Sequence, residues 1–476
     1  MKIILCRILN LSILASKNLS KKLMNNNRNW RVVSLISISF FIYLIFSILS
    51  FAFDIKWEPF EKVNLITDVF DKEKKSQLTQ NNNTDINPSN PNGTSQNLVQ
   101  DFELYKKPQF ITNFYKGDSV NALSNFSEKL HQLQTSKKGK IRIAYFGDSM
   151  IEGDLLTQTL RKLLQKEFGG YGVGFLPIHS KVAGFRQTAS VQSSGWETIN
   201  FMDKGAKNMY ISGFSFSGFG NGTFTDKTIT APPSLEKFLI YGKNNGGSID
   251  FDGNSIPLEG NEMVNSQLLS KNNATTFKLK SNSGNIPFYG VSFESENGII
   301  LDNFSFRGIT GVEFRKIDED FLKAVQKANH YDLIVMQYGV NLLFRPNDTD
   351  YSYYTKNMTP VLEKFITSFP NTDILLVSSA DRAFRYNGEY QTAKGLPNLL
   401  ETQARLAYDH HLAFFNLFQT MGGENSIVNW ANQKPALANK DYVHPNAKGA
   451  DILAEKLFHA IMNDYHNYKP KTETAE

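Results

Sequence analysis

The hydrophobic and polar positions divide the chain into segments of three kinds. Residues 32–53 form one uninterrupted apolar run. From about residue 101, short apolar runs alternate with stretches in which apolar residues recur every three or four positions, which predicts buried strands alternating with amphipathic helices. Between about 190 and 300 the helical period is lost, and short alternating runs bounded by Gly, Asn and Ser replace it.

The alternation of strands and helices predicts an α/β domain. Lys140–Phe146 is a short apolar run that ends at Gly147, and Leu156–Phe168 behind it has helical spacing up to Gly169-Gly170. The later predicted elements are helix 316–329, strand 332–338, helix 355–368, strand 373–378, helix 397–410, strand 412–417 and a last helix over 447–462. Such an order implies a parallel sheet covered by helices on both faces, a three-layer domain.

The segment without helical periodicity predicts an inserted all-β sandwich over 190–300. Its clearest signal is Asp252-Gly253 between two short strands, a sequence typical of a type I′ hairpin turn. We assign the runs 277–280, 288–293 and 299–306 to the same pattern. Without the insert, 101–189 and 301–467 make about 250 residues, a sensible size for one α/β domain, and 468–476 form a tail.

The apolar run 32–53 contains no charge, Pro or Gly and is long enough to span a bilayer as a helix. Residues 1–31 hold seven basic residues and no acidic one, which places the N-terminus in the cytoplasm. Only Ala52 resembles a small-residue cleavage site, so we expect an uncleaved transmembrane anchor rather than a cleaved signal peptide. Met24 is an alternative start of the same basic segment.

Composition narrows the function. Cys6 is the single cysteine, so an intramolecular disulfide and a Cys-based metal site are excluded. Beyond residue 31, 44 basic residues face 46 acidic ones, which is not the charge of a nucleic-acid-binding domain. Residues 54–100 include a long polar stretch and predict a flexible linker. We expect a single-pass protein of the bacterial inner membrane, with a cytoplasmic N-terminus and a periplasmic folded part.

Three residues could carry nucleophilic chemistry. Ser149 follows a strand and precedes a helix, where α/β folds bind ligands and a backbone N–H can face an anion; the alternative is a helix cap. Asp441 and His444 are separated by two residues, so the carboxylate can orient the imidazole, or another acceptor nearby can hold it, leaving the other ring nitrogen free as a base. The alternative for His444 alone is a surface or core histidine. None of the eight histidines has metal-ligand spacing, and we expect no metal.

Four sequence blocks resemble, in order, those of the SGNH or GDSL-type esterases. They are FGDSM (146–150), RGITG (307–311), YGVN (338–341) and DYVHP (441–445). The resemblance implies an SGNH-hydrolase fold without cofactor, with Ser149 as nucleophile, His444 as base and Asp441 as its orienting acid. It also implies an oxyanion hole made by the Ser149 N–H, the Gly311 N–H and the Asn341 side chain.

The blocks differ from the family's pattern in two respects. The family usually has Asp after the third-block Asn, where this chain has Leu342, and the distance from Ser149 to Gly311 is longer than usual because the β insert fills it. Gly308 competes with Gly311 for the glycine position. We prefer Gly311, since its step before a helix fits the family better.

Residues 147–177 further resemble envelope SGNH proteins related to peptidoglycan O-acetylesterases, which carry a carbohydrate-binding-like β-sandwich at this point. The implied function is a serine esterase that removes O-acetyl groups from an envelope polysaccharide through an acyl-enzyme. One alternative is an O-acetyltransferase, in which a sugar hydroxyl replaces water. Another is a non-catalytic glycan-binding protein on the same scaffold, against which the retention of Ser149, Asp441 and His444 argues.

Several other residues have weaker signals. Some aromatic residues of the insert could stack on sugar rings, although aromatic residues in a sandwich more often belong to the core: Trp196, Tyr210, Phe214, Phe216 and Phe219. Arg382 could contact an acidic glycan, but a solvated surface pair with Asp381 is the simpler interpretation. We interpret His179 and Asp154 as structural.

Overall fold

A computed structural model describes residues 37–39, 43, 102–114, 121–180, 186–207 and 209–468. The chain divides into two compact units, Met1–Ser95 and Gln96–Glu476. The predicted basic tail, the linker up to residue 100 and nearly all of the predicted membrane span lie outside the described residues. Among those that are described, no helix has both the length and the apolar character needed to cross a membrane.

The second unit is built on a six-stranded sheet in which five strands run parallel and one edge strand is antiparallel. Its spatial order is β1 (Ile111–Thr112), β19 (Ala413–Phe415), β16 (Asp373–Val377), β15 (Tyr331–Gln337), β2 (Lys140–Gly147) and β14 (Gly298–Ser305). In chain order the five parallel strands are therefore arranged 2-1-3-4-5. The order reverses between β2 and β15, and such switch points are where doubly wound sheets bind ligands.

Helices cover both faces of this sheet. One face carries α1 (Ser124–Ser136), α2 (Thr157–Phe168), α6 (Leu417–Met421), α7 (Ser426–Asn432) and α8 (Ala447–His466). The other carries α3 (Glu319–Asn329), α4 (Ser352–Ser368) and α5 (Leu396–Asp409). Strand β2 supplies both cores because its side chains alternate: Ile143 and Tyr145 pack on the first face, Ala144 and Phe146 on the second. The predicted α/β fold with a parallel sheet is confirmed.

Two antiparallel sheets stack between β2 and β14 in the chain. One contains β3 (Gly174–Pro177), β5 (Glu197–Asn200), β6 (Phe214–Ser217), β8 (Leu235–Tyr241), β11 (Asn265–Asn272) and β13 (Phe288–Glu294). The other contains β4 (Ala189–Ser194), β7 (Asn221–Asp226), β9 (Ser248–Phe251), β10 (Asn254–Pro257) and β12 (Thr276–Ser281). Their facing side chains, among them Phe224, Phe277 and Phe293, form a separate buried core.

The predicted hairpin is present. Strands β9 and β10 pair antiparallel around Asp252 and Gly253, which have φ values of 51° and 89°. Two consecutive residues with positive φ define the type I′ turn, which favours Gly at the second position.

The structure corrects two assignments at the margins of the insert. The run 299–306, whose pattern was grouped with the sandwich strands although 301–467 was assigned to the α/β domain, forms β14 and pairs parallel with β2. Its continuous apolar character fits a buried strand in either kind of sheet, so the pattern could not separate them. Conversely, β3 lies within the segment assigned to the α/β domain, yet it pairs with β13 of the sandwich.

The sandwich shares core contacts with the α/β domain. The Phe175 ring lies 5.0 Å from the Phe304 ring of β14, and both belong to one hydrophobic cluster. Beside it, the buried Arg142 guanidinium donates to Glu294 on β13 at 2.7 Å and to Asp302 on β14 at 3.1 Å. The insert is therefore fixed to the edge of the parallel sheet by both apolar and ionic contacts.

A candidate active site at the switch point of the sheet

Ser149 lies on a tight turn after β2. A 3-10 helix, Glu152–Asp154, follows, and α2 begins only at Thr157. Gly153, Asp154 and Leu156 have φ values of 69°, 71° and 65°, and these left-handed conformations separate the turn from the helix. The expectation that Ser149 stands at the head of a helix is therefore wrong, and so is the alternative that it caps one.

The structure brings Ser149, His444 and Asp441 together. Ser149 Oγ lies 2.8 Å from His444 Nε2, and His444 Nδ1 lies 2.7 Å from Asp441 Oδ2. The backbone N–H groups of Val443 and His444 both donate to Asp441 Oδ1, each at 3.0 Å. The carboxylate is thus fixed by its own turn, and it can hold the imidazole with Nε2 directed at the serine hydroxyl.

The surroundings of Asp441 keep it ionised. Burial alone would raise the pKa of this carboxyl, but the hydrogen bonds from the His444 N–H and imidazole and from the Val443 N–H outweigh burial and lower the pKa. An ionised carboxylate at this position favours the Nδ1–H tautomer of His444 and stabilises an imidazolium when Nε2 accepts a proton.

The turn from Asp441 to His444 is supported from both sides. Asn439 N–H donates to the His444 carbonyl at 2.9 Å, and Ala383 N–H donates to the Tyr442 carbonyl at 3.0 Å. Tyr442 has a φ of 56°, an unfavourable conformation for a bulky residue. Its ring stacks on Tyr390 at 4.1 Å, on the hairpin formed by β17 (Ala383–Tyr386) and β18 (Glu389–Thr392).

Asn341 lies beyond the end of β15, next to the Ser149 turn. Its Nδ2 donates to Asp148 Oδ2 at 3.0 Å and to the Ile309 carbonyl at 2.9 Å. Gly339, two residues before Asn341, passes close to Ser379. A Cβ at Gly339 would lie 2.3 Å from the Ser379 Cβ, so the chain can take this path only with glycine there. Both N–H groups of Asn341 are engaged, so donation to an oxyanion requires one of these bonds to be exchanged.

The two glycines that competed for the oxyanion position differ in their environments. Gly311 has a φ of 90°, and a Cβ there would lie 2.9 Å from the Tyr338 ring. Gly308 also has a positive φ, 84°, but faces open space. Among the described residues, no acceptor takes the backbone N–H of Ser149 or of Gly311. Gly311 thus packs against the third block and Gly308 does not, and the choice of Gly311 as oxyanion donor stays a prediction.

The sequence analysis did not single out Asp148, which connects two of the four sequence blocks. Its buried carboxylate accepts the Met150 N–H at 2.9 Å and the Asn341 amide, so it joins the Ser149 turn to the third block. Burial raises the pKa of Asp148 to about 7, against the lowering effect of the Met150 bond. Its place in the FGDSM block, directly before Ser149, was the available signal.

Leu342, the departure from the family's third block, is 2% exposed and belongs to the core on the α3–α5 face. Its N–H donates to the Gly339 carbonyl at 2.8 Å, which closes the turn after β15. The residue after Asn341 is therefore held by hydrophobic packing and by the turn.

The interpretation of Asp381 and Arg382 as a solvated surface pair is wrong. Asp381 is fully buried and accepts hydrogen bonds from Thr392 Oγ1 at 2.8 Å and Ile427 N–H at 2.9 Å. Arg382 Nη1 donates instead to the Val340 carbonyl at 2.6 Å, directly before Asn341. Asp381 therefore holds Thr392 and Ile427 in place, whereas Arg382 holds the residue before Asn341.

The remaining candidate residues differ in their exposure and contacts. Tyr210 and Phe216 are buried in the core, Trp196 and Phe214 are half-buried, and Phe219 is 68% exposed. Asp154 is buried between Arg161 and Arg186, and His179 Nδ1 lies 2.9 Å from Ser193 Oγ. In the described part of the chain, no group of three His, Cys, Asp or Glu side chains is placed to hold a metal ion.

Among solved structures, an esterase has a similar overall fold. A structure titled "Peptidoglycan O-acetylesterase in action, 5 min" matches 75% of this chain and 99% of its own, with a TM-score of 0.63 and 22% identity. The chain shares the fold of that esterase. The fold expected from the resemblance to SGNH esterases is thereby confirmed, including the presence of further sheets beside the parallel one.

Other solved esterases match more weakly. An acetyl xylan esterase is 19% identical, with 34% of this chain and 81% of its own covered and a TM-score of 0.28. A family two carbohydrate esterase from Cellvibrio japonicus is 12% identical, with 58% and 99% covered and a TM-score of 0.25. No family model and no curated protein matches the sequence.

Proposed function

We propose that the protein is a serine esterase that removes O-acetyl groups from an envelope polysaccharide such as peptidoglycan. One observation carries the proposal: the chain of contacts from Ser149 Oγ to His444 Nε2, 2.8 Å, and from His444 Nδ1 to Asp441 Oδ2, 2.7 Å. These three side chains lie at the switch point of the parallel sheet, where a substrate can approach. A hydroxyl, an imidazole and a carboxylate in this order are the parts of an activated nucleophile.

In the proposed mechanism, Ser149 Oγ attacks the acetyl carbonyl carbon while His444 Nε2 takes the hydroxyl proton. The backbone N–H groups of Ser149 and Gly311, with the Asn341 amide, stabilise the negative charge on the carbonyl oxygen. The imidazolium returns its proton to the departing sugar oxygen, leaving an acetyl group on Ser149. Water, deprotonated by His444, then attacks this ester, and acetate leaves as the Ser149 hydroxyl is restored.

The fold supports the substrate class. The matched esterase, by its title, acts on O-acetyl groups of peptidoglycan, and it is covered over nearly its whole length. The sandwich insert is fixed to the sheet edge next to the candidate nucleophile, so a polymer bound across the site can contact both domains. Hydrolysis of acetyl esters on a long glycan therefore fits better than hydrolysis of a small free ester.

The proposed location follows from the sequence. With the 32–53 run as a membrane anchor and residues 1–31 in the cytoplasm, the esterase domain lies in the periplasm, where the envelope polysaccharide is. A reporter that is active only outside the cytoplasm, fused after residue 476, is expected to work in the full chain and to fail when residues 32–53 are deleted. If a reporter that works only in the cytoplasm is active when fused at the same position of the full chain, this location is wrong.

Acetate release from O-acetylated peptidoglycan tests the function. Wild type is expected to release acetate, and Ser149→Ala to release none above background. The matched control is Ser194→Ala, which removes an exposed serine of β4 and is expected to leave the rate unchanged. Equal release by wild type and Ser149→Ala would overturn the serine mechanism. Binding of glycan without release by any variant would indicate a non-catalytic protein.

A further inference from the structure

A cavity of about 710 Å³ lies where the sandwich meets the α/β domain. Trp196, Thr198 and Phe214 of the sandwich line one side, and Phe306 and Arg307, which follow β14, line the other. The volume is within the range of sites that bind small molecules or single groups of larger ones. Both domains contribute to it, so the cavity exists only because the insert is docked.

The cavity adjoins the candidate active site through two loops. Glu152 and Gly153, on the turn that follows Ser149, form part of its floor, together with Arg307, which leads to Gly308 and Gly311. Arg307 Nε donates to Glu152 Oε2 at 3.0 Å, joining the two loops. A ligand in the cavity therefore touches the same loops that carry the nucleophile and the glycine oxyanion donor.

Part of the cavity wall is a fixed aromatic surface. Trp196 Nε1–H donates to the Asn221 carbonyl at 3.0 Å, and its ring packs on Phe288 at 5.3 Å, so the indole is held in place. A ring fixed in this way offers a preformed apolar surface to a ligand.

The charges of the cavity are already balanced within the protein. Arg186 Nη2 lies 3.2 Å from Asp154 Oδ2, and Arg307 pairs with Glu152. Asp203 Oδ2 accepts the Asn200 N–H at 2.8 Å. Asp154 also pairs with the buried Arg161, so the guanidinium groups of Arg161, Arg186 and Arg307 are offset as a group by the carboxylates of Asp154, Glu152 and Asp203. This balance makes the cavity favour a neutral ligand over a phosphate or a carboxylate. Aromatic surface with polar groups around it suits the apolar face and the hydroxyls of a sugar ring.

We infer that this cavity is a subsite for a neutral sugar residue of the polysaccharide, one that flanks the residue whose acetyl group faces Ser149. This inference rests on the proposed esterase function. The subsite gives the enzyme its preference for a polymer: a sugar bound between Trp196 and the Ser149 turn positions the neighbouring acetylated sugar, whereas a small acetyl ester reaches Ser149 without it.

Filling the cavity tests the inference. Thr198 is an exposed residue of β5 that lines the cavity and has no side-chain hydrogen bond among the described residues, so Thr198→Trp blocks the space without removing a bond. The control is Ile199→Trp: the next residue on the strand faces the other side and is 48% exposed. The substrates are 4-nitrophenyl acetate and O-acetylated chitotetraose.

Thr198→Trp is expected to lower kcat/KM on O-acetylated chitotetraose at least tenfold, mainly through KM, and to leave 4-nitrophenyl acetate within twofold. Ile199→Trp is expected to change neither. A second pair, Trp196→Ala with the exposed Phe219→Ala as control, is expected to give the same split. Equal loss on both substrates, or no loss on either, would overturn the subsite.

Binding of chitotetraose to Ser149→Ala, measured by NMR titration, separates this inference from the esterase function. Affinity is expected to fall at least tenfold when Thr198→Trp is added, and to be unchanged by Ile199→Trp. Unchanged affinity with Thr198→Trp would overturn the subsite even if the wild type is an esterase. If the wild type hydrolyses neither ester while Thr198→Trp still abolishes binding, the cavity is a sugar site and the esterase proposal fails.

Discussion

At the scale of single residues, Asn341 differs from the other groups of the proposed mechanism because its amide already has protein partners. Ser149, His444 and Asp441 have the contacts that their proposed roles require, but both N–H groups of the Asn341 amide are bonded to protein acceptors. The bond to Asp148 fixes the side chain beside the nucleophile turn. An oxyanion would have to replace either this bond or the bond to the Ile309 carbonyl.

Asn341→Ala tests that exchange. If the amide donates to the developing negative charge, kcat should fall by roughly 10²–10³, the typical effect of one oxyanion donor. KM should change little, since the donor acts when charge develops on the carbonyl oxygen. Steady-state kinetics on a small acetyl ester measure both. A loss of less than about threefold in kcat would mean that Asn341 only supports Asp148, and the assignment of the third block would be wrong.

The sequence predicted the residues whose partners are close in the chain or belong to a spaced motif. Asp441 and His444 are three positions apart, and the FGDSM block marks Ser149. The bond between Asp148 and Asn341 joins residues 193 positions apart, and the bond of Arg382 to the Val340 carbonyl depends on the packing of two strand ends. No local pattern encodes such pairs.

At the scale of elements, the β17–β18 hairpin supports the turn that carries the histidine and its aspartate. Tyr390 stacks on Tyr442 with a ring separation of 4.1 Å, and the Ala383 N–H holds the Tyr442 carbonyl. Tyr442 has the left-handed backbone that bulky residues avoid, and its contacts offset that conformational cost. The hairpin therefore helps to fix the position of His444.

Tyr390→Ala should lower kcat about two- to tenfold, the kinetic equivalent of losing one aromatic pair, with KM nearly unchanged. The control is Tyr353→Ala on α4, which removes a tyrosine of similar exposure, 41% against 42%, away from this turn. Steady-state kinetics on a small acetyl ester provide the measurement. Equal effects of the two substitutions, or a rise in KM alone, would contradict the supporting role.

Most helices and strands of the α/β part were predictable because their periodicity is strong and their ends carry turn residues. The helical spacing of Leu156–Phe168 agrees with α2, which begins at Thr157. The turn between Ser149 and α2 was not predicted, since nothing in the apolar spacing records its three left-handed residues. Strand β14 was misassigned because a continuous apolar run fits a sandwich and a parallel sheet equally well.

At the scale of the whole molecule, buried ion pairs join the insert to the parallel sheet. Arg142 contacts Glu294 of the sandwich and Asp302 of β14, and Lys140 also contacts Glu294, at 2.8 Å. Burial raises the pKa of Glu294, but Arg142 and Lys140 outweigh burial and lower it to about 2. The sequence predicted the insertion, but the partners of Arg142 are more than 150 positions away in the chain.

Arg142→Met should lower the free energy of unfolding by about 3–5 kcal/mol at pH 7, because it leaves buried carboxylates without their partner. The control Lys323→Met removes a cation from an exposed pair with Glu319 and should change the free energy of unfolding by no more than about 0.5 kcal/mol. Denaturant unfolding of both variants and of the wild type gives the comparison. A loss no larger than that of the control would contradict the role of the network.

The same network predicts a pH dependence. The pKa of Glu294 is lower in the folded state than in the unfolded chain, so its contribution to stability is complete above about pH 4.5 and is lost as pH falls toward 2. Arg142→Met should make this acid-induced loss smaller, since the pKa is then less depressed. Unfolding curves at pH 6, 4.5 and 3 for both proteins test the sign, and an equal or steeper loss in the variant would contradict it.

The most direct test of the central claim is covalent labelling by a fluorophosphonate, which reacts with an activated serine hydroxyl. Peptide mapping by mass spectrometry should find the adduct on Ser149 of the wild type, with Ser194→Ala labelled at the same rate. His444→Ala should slow labelling at least about 100-fold. An adduct on another residue, or unchanged labelling in Ser149→Ala or His444→Ala, would contradict the account.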